Sequence, residues 1–183
     1  NKLSERLDGL FQEQFRGKGP KYEFLRQFPD MTGLIGQYHQ GNQPGYHIPY
    51  LYNYSGEPWK TQKIVREIMK IWYNDSPLGI CGDEDEGETS SWFVFSSMGF
   101  FPVCPGKPVY DIGSPVFRKI TIDTGNGRKF IIEADGVSDK NKFIQSATLN
   151  GKPLNTPWFS HSDLTDGGKL ILKMGPLPNK IRE

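Results

Sequence analysis

A chain of 183 residues that is 36% hydrophobic and 13% aromatic can bury a real core, and it falls in the range of one large domain or two small ones. Its 22 basic and 21 acidic residues nearly cancel, so no basic field argues for nucleic acid and no acidic tail argues for disorder. No apolar run approaches the roughly 18 residues that a membrane-spanning helix needs.

From residue 1 to about residue 104 the apolar spacing is helical. In LSERLDGLF, the residues Leu3, Leu7, Leu10 and Phe11 share one face. PWKTQKIVREIMKIWY, residues 58 to 73, is clearer: Pro58 suits a first helical position, and Ile64, Val65, Ile68, Met69 and Trp72 form one stripe. A third helix is expected from about Thr89 to Met98, with Gly99 placed to end it. After Pro105 the pattern turns to strands. KITID and KFIIEA flank TGNGR, whose Asn126-Gly127 pair is a hairpin signal; ATLNGKPL repeats the device at Asn150-Gly151, and KLILKM reads as a last strand. The expected fold class is α+β, with a helical part over 1–105, a boundary near 105 to 112, and an antiparallel, sandwich-like β segment over 106–183.

Cys81 and Cys104 do not make a disulfide framework, and two buried free thiols are expected. The chain starts at Asn1 with no leader pattern, so the expectation is a piece of a longer protein whose targeting segment is missing or was removed.

The unusual residues lie in loops ahead of the helices. GNQPGYHIPYLYNYSG, residues 41 to 56, packs amides, His47 and four tyrosines between glycines and prolines. Such a mixture suits sugars, because aromatic faces stack on a pyranose while Asn, Gln and His bond its hydroxyls. Equally, Tyr50, Tyr52 and Tyr54 suit packing with wet tips. GDEDEG, residues 82 to 87, puts four carboxylates into six positions. An EF-hand fails: counted from Asp83, position 6 is Glu88 instead of glycine, and position 12 is Val94 instead of a bidentate acid. Two readings remain. The acids cap the following helix and complement its dipole, or Asp83 and Asp85, on one side of an extended loop, share a job such as activating a water. In the second reading the opposing acid must come from another segment, because acid and base flank the scissile bond.

GNQPGYHIPYLYNYSGEPWKTQ, then GICGDEDEGETSSWFVFSSMGFFPVCPG, YDIGSPVF and ATLNGKPL resemble, in order, the motifs of the family 92 glycoside hydrolases, calcium-dependent inverting exo-α-mannosidases. The resemblance runs from about residue 28 to 179 and covers only the C-terminal part of such proteins: the last helices of an (α/α)6 barrel and the β-rich tail behind them. It implies that Asp83 and Asp85 act as general base, that Asn42 and Gln43 line the sugar site, and that calcium binds there, with Asn42 and Asp85 as candidate ligands. Gln43 stands where the family commonly has Glu, which turns a charged contact into a neutral one and bears on whether α-1,2 bonds are the target. His47 follows as a hydroxyl partner or a structural histidine. The family's general acid, a glutamate, lies upstream of anything present here, so the isolated chain is expected to be inactive.

The resemblance further implies mannose-containing glycans and the rest of a parent polypeptide as partners, and a secreted, periplasmic or cell-surface location. An isolated fragment is expected to show an apolar patch at PYLYNY and WFVFSSMGFF and to associate with itself. The alternatives to a mannosidase fragment are a noncatalytic carbohydrate-binding module and a purely structural tail.

Overall fold

The computed structural model describes residues 1–13, 33–125 and 127–180. Helix α1 (Lys2–Gln12) is capped by Asn1, whose side chain accepts from the Leu3 amide. Leu7 is buried and Leu10 and Phe11 pack against the same core, but Leu3 is left 39% exposed, so three of the four predicted face residues face inward. The short hairpin β1 (Leu34–Ile35) and β2 (Tyr38–His39) follows, with the Gln37 amide on the Leu10 carbonyl at the end of α1. These strands lie in a connection between helices where the sequence indicates only a long loop.

A 3₁₀ turn at Gln43–Gly45 leads into an eight-residue 3₁₀ segment, Ile48–Ser55. Runs beyond three or four residues are uncommon for this helix type, and here the run is held by its tyrosines. Tyr50 is fully buried with its hydroxyl on Ser96 Oγ at 2.9 Å; Tyr52 is buried and donates to Asp8 Oδ1 at 2.9 Å; Tyr54 is partly exposed and donates to Asp111 Oδ2 at 2.8 Å. All three are packing residues with satisfied hydroxyls.

Helix α2 (Pro58–Trp72) begins at the predicted proline and buries Ile64, Val65, Ile68 and Met69. Lys60, on its first turn, reaches back to Asp8 Oδ2 at 2.6 Å and to Glu57, pinning α1 to the molecule. Helix α3 (Glu88–Met98) ends at Gly99, as its sequence indicates. Trp92 is fully buried in the helical core, and Phe100, just beyond the cap, lies in the sheet core. Both aromatic stretches expected to form an exposed patch are therefore largely consumed inside the chain, with Val94 and Tyr54 left about half exposed.

The β half departs from a purely antiparallel sheet. One sheet has three antiparallel strands, β3 (Phe100–Phe101), β4 (Val109–Ile112) and β9 (Trp158–Ser160), in the order β3-β4-β9. The other contains β5 (Lys119–Gly125), β6 (Arg128–Asp135), β7 (Phe143–Leu149), β8 (Lys152–Pro153) and β10 (Gly168–Gly175), in the order β5-β6-β10-β7-β8. Within it β6 and β10 are parallel and the remaining pairs antiparallel. A short helix, α4 (His161–Thr165), makes the crossover into β10 and starts with a capping box between Ser160 and Asp163. The hairpin at Asn150-Gly151 forms as expected, both residues having positive φ, 51° and 78°. The β5–β6 hairpin also forms; of its predicted turn pair, Asn126 lies outside the described residues and Gly127 is in a turn.

The two halves are tied directly. Asn53 Nδ2 donates to Asp111 Oδ1 and to the Ile112 carbonyl, Arg66 Nη1 donates to the Pro115 carbonyl at 2.6 Å, and the Ile144 amide donates to Gln62 Oε1 at 2.9 Å.

Candidate active site

Two loops meet at the N-terminus of α3. Gly82 has φ 66°, and a Cβ on it would stand 2.4 Å from Gly41 Cα, so the backbone of the acid loop lies against the backbone of the Gly41–Gln43 loop. Beneath them Tyr46, Tyr73 and Trp92 form a floor. The Tyr46 and Tyr73 rings lie 5.9 and 5.8 Å from Trp92, Trp92 Nε1 donates to the Tyr46 carbonyl, and fully buried Gln40 donates to the Tyr73 hydroxyl at 2.9 Å while accepting from Tyr38 at 2.6 Å. Burial pushes the Cys81 thiol beside this floor up to about 11. Of the two thiols expected to be buried, only Cys81 is; Cys104 is exposed, and both are free.

The acid loop is not extended. Asp85 and Glu86 have φ of 49° and 57°, followed by Gly87 at 92°. Asp83 and Asp85 are therefore not placed on one side by strand alternation, since two consecutive left-handed residues turn the chain. Strained, non-glycine left-handed residues concentrate at functional sites and persist where surrounding contacts hold them.

The helix-cap reading of the acids also changes. Gly87 occupies the N-cap position, and no side chain caps α3. The loop's main-chain oxygens take the N-terminal donors instead: Asp85 O accepts from the Glu88 amide at 3.2 Å, Glu84 O from the Thr89 amide at 3.2 Å, and Asp83 O from Thr89 Oγ1 at 2.7 Å. Residues 83 to 86 are all exposed, so their carboxylates are free to face a ligand while the backbone does the capping.

Of the other predicted residues, Gln43 is brought onto the acid loop, its Nε2 donating to Asp83 O at 3.0 Å. Asn42 and His47 are exposed on the same stretch. Among the described residues no hydrogen bond or ion pair joins the Asn42, His47 or Asp85 side chains to another predicted member. Thr89 and Tyr46 belong to the site's construction, and neither is among the predicted site residues.

Asn42, Asp83 and Asp85 are oxygen donors, the kind calcium takes, but six to eight are needed. Among the described residues no group of three or more His, Cys, Asp or Glu side chains converges. The donor set fits calcium in kind and falls short of it in number. Two cavities, of about 350 and 270 Å³, are lined respectively by residues such as Arg66, Lys70 and Phe93 and by Cys104, Lys107 and His161; the acid loop lines neither and sits on an open face.

Residues 1–176 match the family model described as the glycosyl hydrolase family 92 catalytic domain. A protein of Arthroderma benhamiae named as an uncharacterized secreted glycosidase is 35% identical over 138 residues, which is 74% of this chain and 18% of that protein. A family GH92 α-mannosidase of Bacteroides thetaiotaomicron, solved in complex with mannoimidazole, superposes with a TM-score of 0.87 at 37% identity, covering 97% of this chain and 23% of its own. An inverting GH92 mannosidase of the same organism gives 0.81 at 41% identity, covering 97% and 24%. The chain belongs to glycosyl hydrolase family 92. It spans about a fifth to a quarter of the length of these relatives.

Proposed function

We propose that this chain is the C-terminal part of an exo-acting α-mannosidase, comprising the last helices of an (α/α)6 barrel and the β structure behind them, and that it contributes the general-base loop. The observation that carries the reading is that the carboxylates of Asp83 and Asp85 are exposed while the loop's carbonyls cap α3 and hold its backbone. Family membership and the mannosidase neighbours support the substrate class.

In this reading a carboxylate of the Asp83 and Asp85 pair takes a proton from a water as its oxygen attacks the anomeric carbon. The glycosidic bond breaks on the opposite face, where an acid protonates the leaving oxygen and the product is inverted. Acid and base stand roughly 6.5 to 9.5 Å apart in such enzymes, so one tight loop cannot supply both. The acid is assigned to a segment outside this chain, and the open face around the loop agrees with walls supplied from there. Asn42, Gln43 and His47 bond the sugar hydroxyls, with α-1,2-linked mannose the first linkage to test. Asn42 and Asp85 are the residues of this chain that would hold calcium, which supplies positive charge to bind and polarise sugar oxygens. The secreted relative supports a location outside the cytoplasm. Against a noncatalytic sugar-binding module, three of the loop's four tyrosines, Tyr46, Tyr50 and Tyr52, are buried, which leaves Tyr54 as the one partly exposed.

The test is hydrolysis of an aryl α-mannoside by the full-length protein, by its Asp83→Asn and Asp85→Asn variants, and by this chain alone. General-base loss should lower kcat by roughly 10²- to 10⁴-fold in at least one variant, and the chain alone should be inactive with or without calcium. Turnover by the isolated chain, or two fully active Asn variants, would sink the reading.

A further inference from the structure

The main-chain oxygen of Asp83 is a point where two elements far apart in the chain converge. Gln43 Nε2 reaches it at 3.0 Å from the 3₁₀ turn, and Thr89 Oγ1 reaches it at 2.7 Å from the first turn of α3. Thr89 has one hydroxyl proton, and it is spent on Asp83 O. In its 2.5 Å contact with Tyr46, Thr89 Oγ1 must therefore accept and the phenol must donate. Burial pushes the Tyr46 phenol up to about 12, so it retains that proton in neutral solution. Tyr46 is itself fixed from behind by Trp92, through the Nε1 bond to its carbonyl and the ring contact.

The orientation of Gln43 follows from the same chemistry. An amide oxygen turned toward the Asp83 carbonyl would be repelled, so Nε2 faces inward and Oε1 is left for an outside donor. A glutamate at this position would bring no N–H and would leave the Asp83 oxygen with the threonine alone. The clamped oxygen belongs to the residue that opens the turn holding Asp85 and Glu86 in the left-handed region.

We propose that Gln43 and Thr89, with Tyr46 behind Thr89, are positioning residues for the general-base loop: together they hold the Asp83 carbonyl from two sides and so set where the Asp83 and Asp85 carboxylates stand. The inference rests on the general-base role assigned to those aspartates above. Its physical basis is the steep dependence of such chemistry on placement, where a displacement of about 1 Å costs on the order of a hundredfold in rate.

The experiment uses the full-length protein. Thr89→Val keeps the side chain's shape and removes the hydroxyl, Thr89→Ser restores it, and Gln43→Met removes the other donor. With an aryl α-mannoside, kcat should fall by about tenfold or more in the Val variant with KM little changed, and Ser should recover most of it. Amide hydrogen exchange at residues 84–88 should quicken in the Val and Met variants and not in the Ser variant. Wild-type kcat in Thr89→Val, or a Ser variant as slow as the Val one, overturns the proposal. If Thr89→Val does not fold, Gln43→Met, whose side chain is only half-buried, decides through amide exchange at residues 84–88, and unchanged exchange there overturns the proposal. Asp83→Asn and Asp85→Asn run in parallel separate the two ideas. Full activity in both removes the general-base reading and the positioning role with it, even with faster exchange in the clamp variants. Collapse in either one alongside a silent Thr89→Val removes the positioning role alone.

Discussion

Asp111 is the residue on which the junction of the two halves turns. It is 1% exposed, and its two oxygens accept from Asn53 Nδ2 at 3.1 Å and from the Tyr54 hydroxyl at 2.8 Å. Burial pushes its carboxyl above the ordinary range, against the opposing pull of those donors and of Lys107. The folded chain then binds this proton more tightly than the unfolded chain does, so stability falls as pH rises from the unfolded value through the raised one. Asp111→Asn removes the titration. Its Tm relative to wild type should shift in the variant's favour across that window, and a difference that stays flat with pH would contradict the assignment. At this scale the sequence was informative about which residues are chemically unusual and silent about their neighbours. Asp83, Asp85 and Gln43 stand out by composition and spacing, and the structure does put Gln43 on the acid loop. Thr89 and Tyr46 do not stand out, because a hydroxyl on a carbonyl depends on how a loop closes over a helix start.

Among the elements, α3 shows how closely a local signal can be met. Gly99 has φ 98°, its amide bonds the Phe95 and Ser96 carbonyls, and a Cβ there would come within 2.8 Å of the Pro115 ring and 2.9 Å of its nitrogen. Gly99→Ala should therefore cost about 1–2 kcal/mol for the left-handed backbone alone. The clash with Pro115 adds to that, and the shift of the urea midpoint measures the sum. Helices α2 and α3 were legible because Pro58, the apolar stripe and Gly99 agree with one another. The hairpin β1–β2 was not, since strands of two residues carry no alternation to read. Nor was the parallel pairing of β6 with β10: KFIIEA and KLILKM advertise strands, and nothing inside a strand states the direction of its neighbour.

Taken whole, the molecule has a helical core and a sheet core joined by polar contacts that are buried or part-buried. Arg66 is 9% exposed and spends its guanidinium on Pro115, Ser138 and Asp139, while Gln62 satisfies the Ile144 amide at the edge of the sheet. Losing one partner of such a contact leaves a buried polar group unpaired, which couples the two cores. Scanning calorimetry of this chain should therefore show one transition, and Arg66→Met should lower it without splitting it. Two separated transitions in the wild-type chain would mean that the cores melt independently.

The strand order β5-β6-β10-β7-β8 also dictates when the sheet can close. Its middle strand is made after all the others, so a ribosome that has delivered residues up to 153 has produced two hairpins with nothing between them. The facing edges of β6 and β7 stay open until Gly175 has left the exit tunnel, and open edges are where chains pair with the wrong partner. For this sheet the interval of greatest risk thus falls between the synthesis of β8 and that of β10.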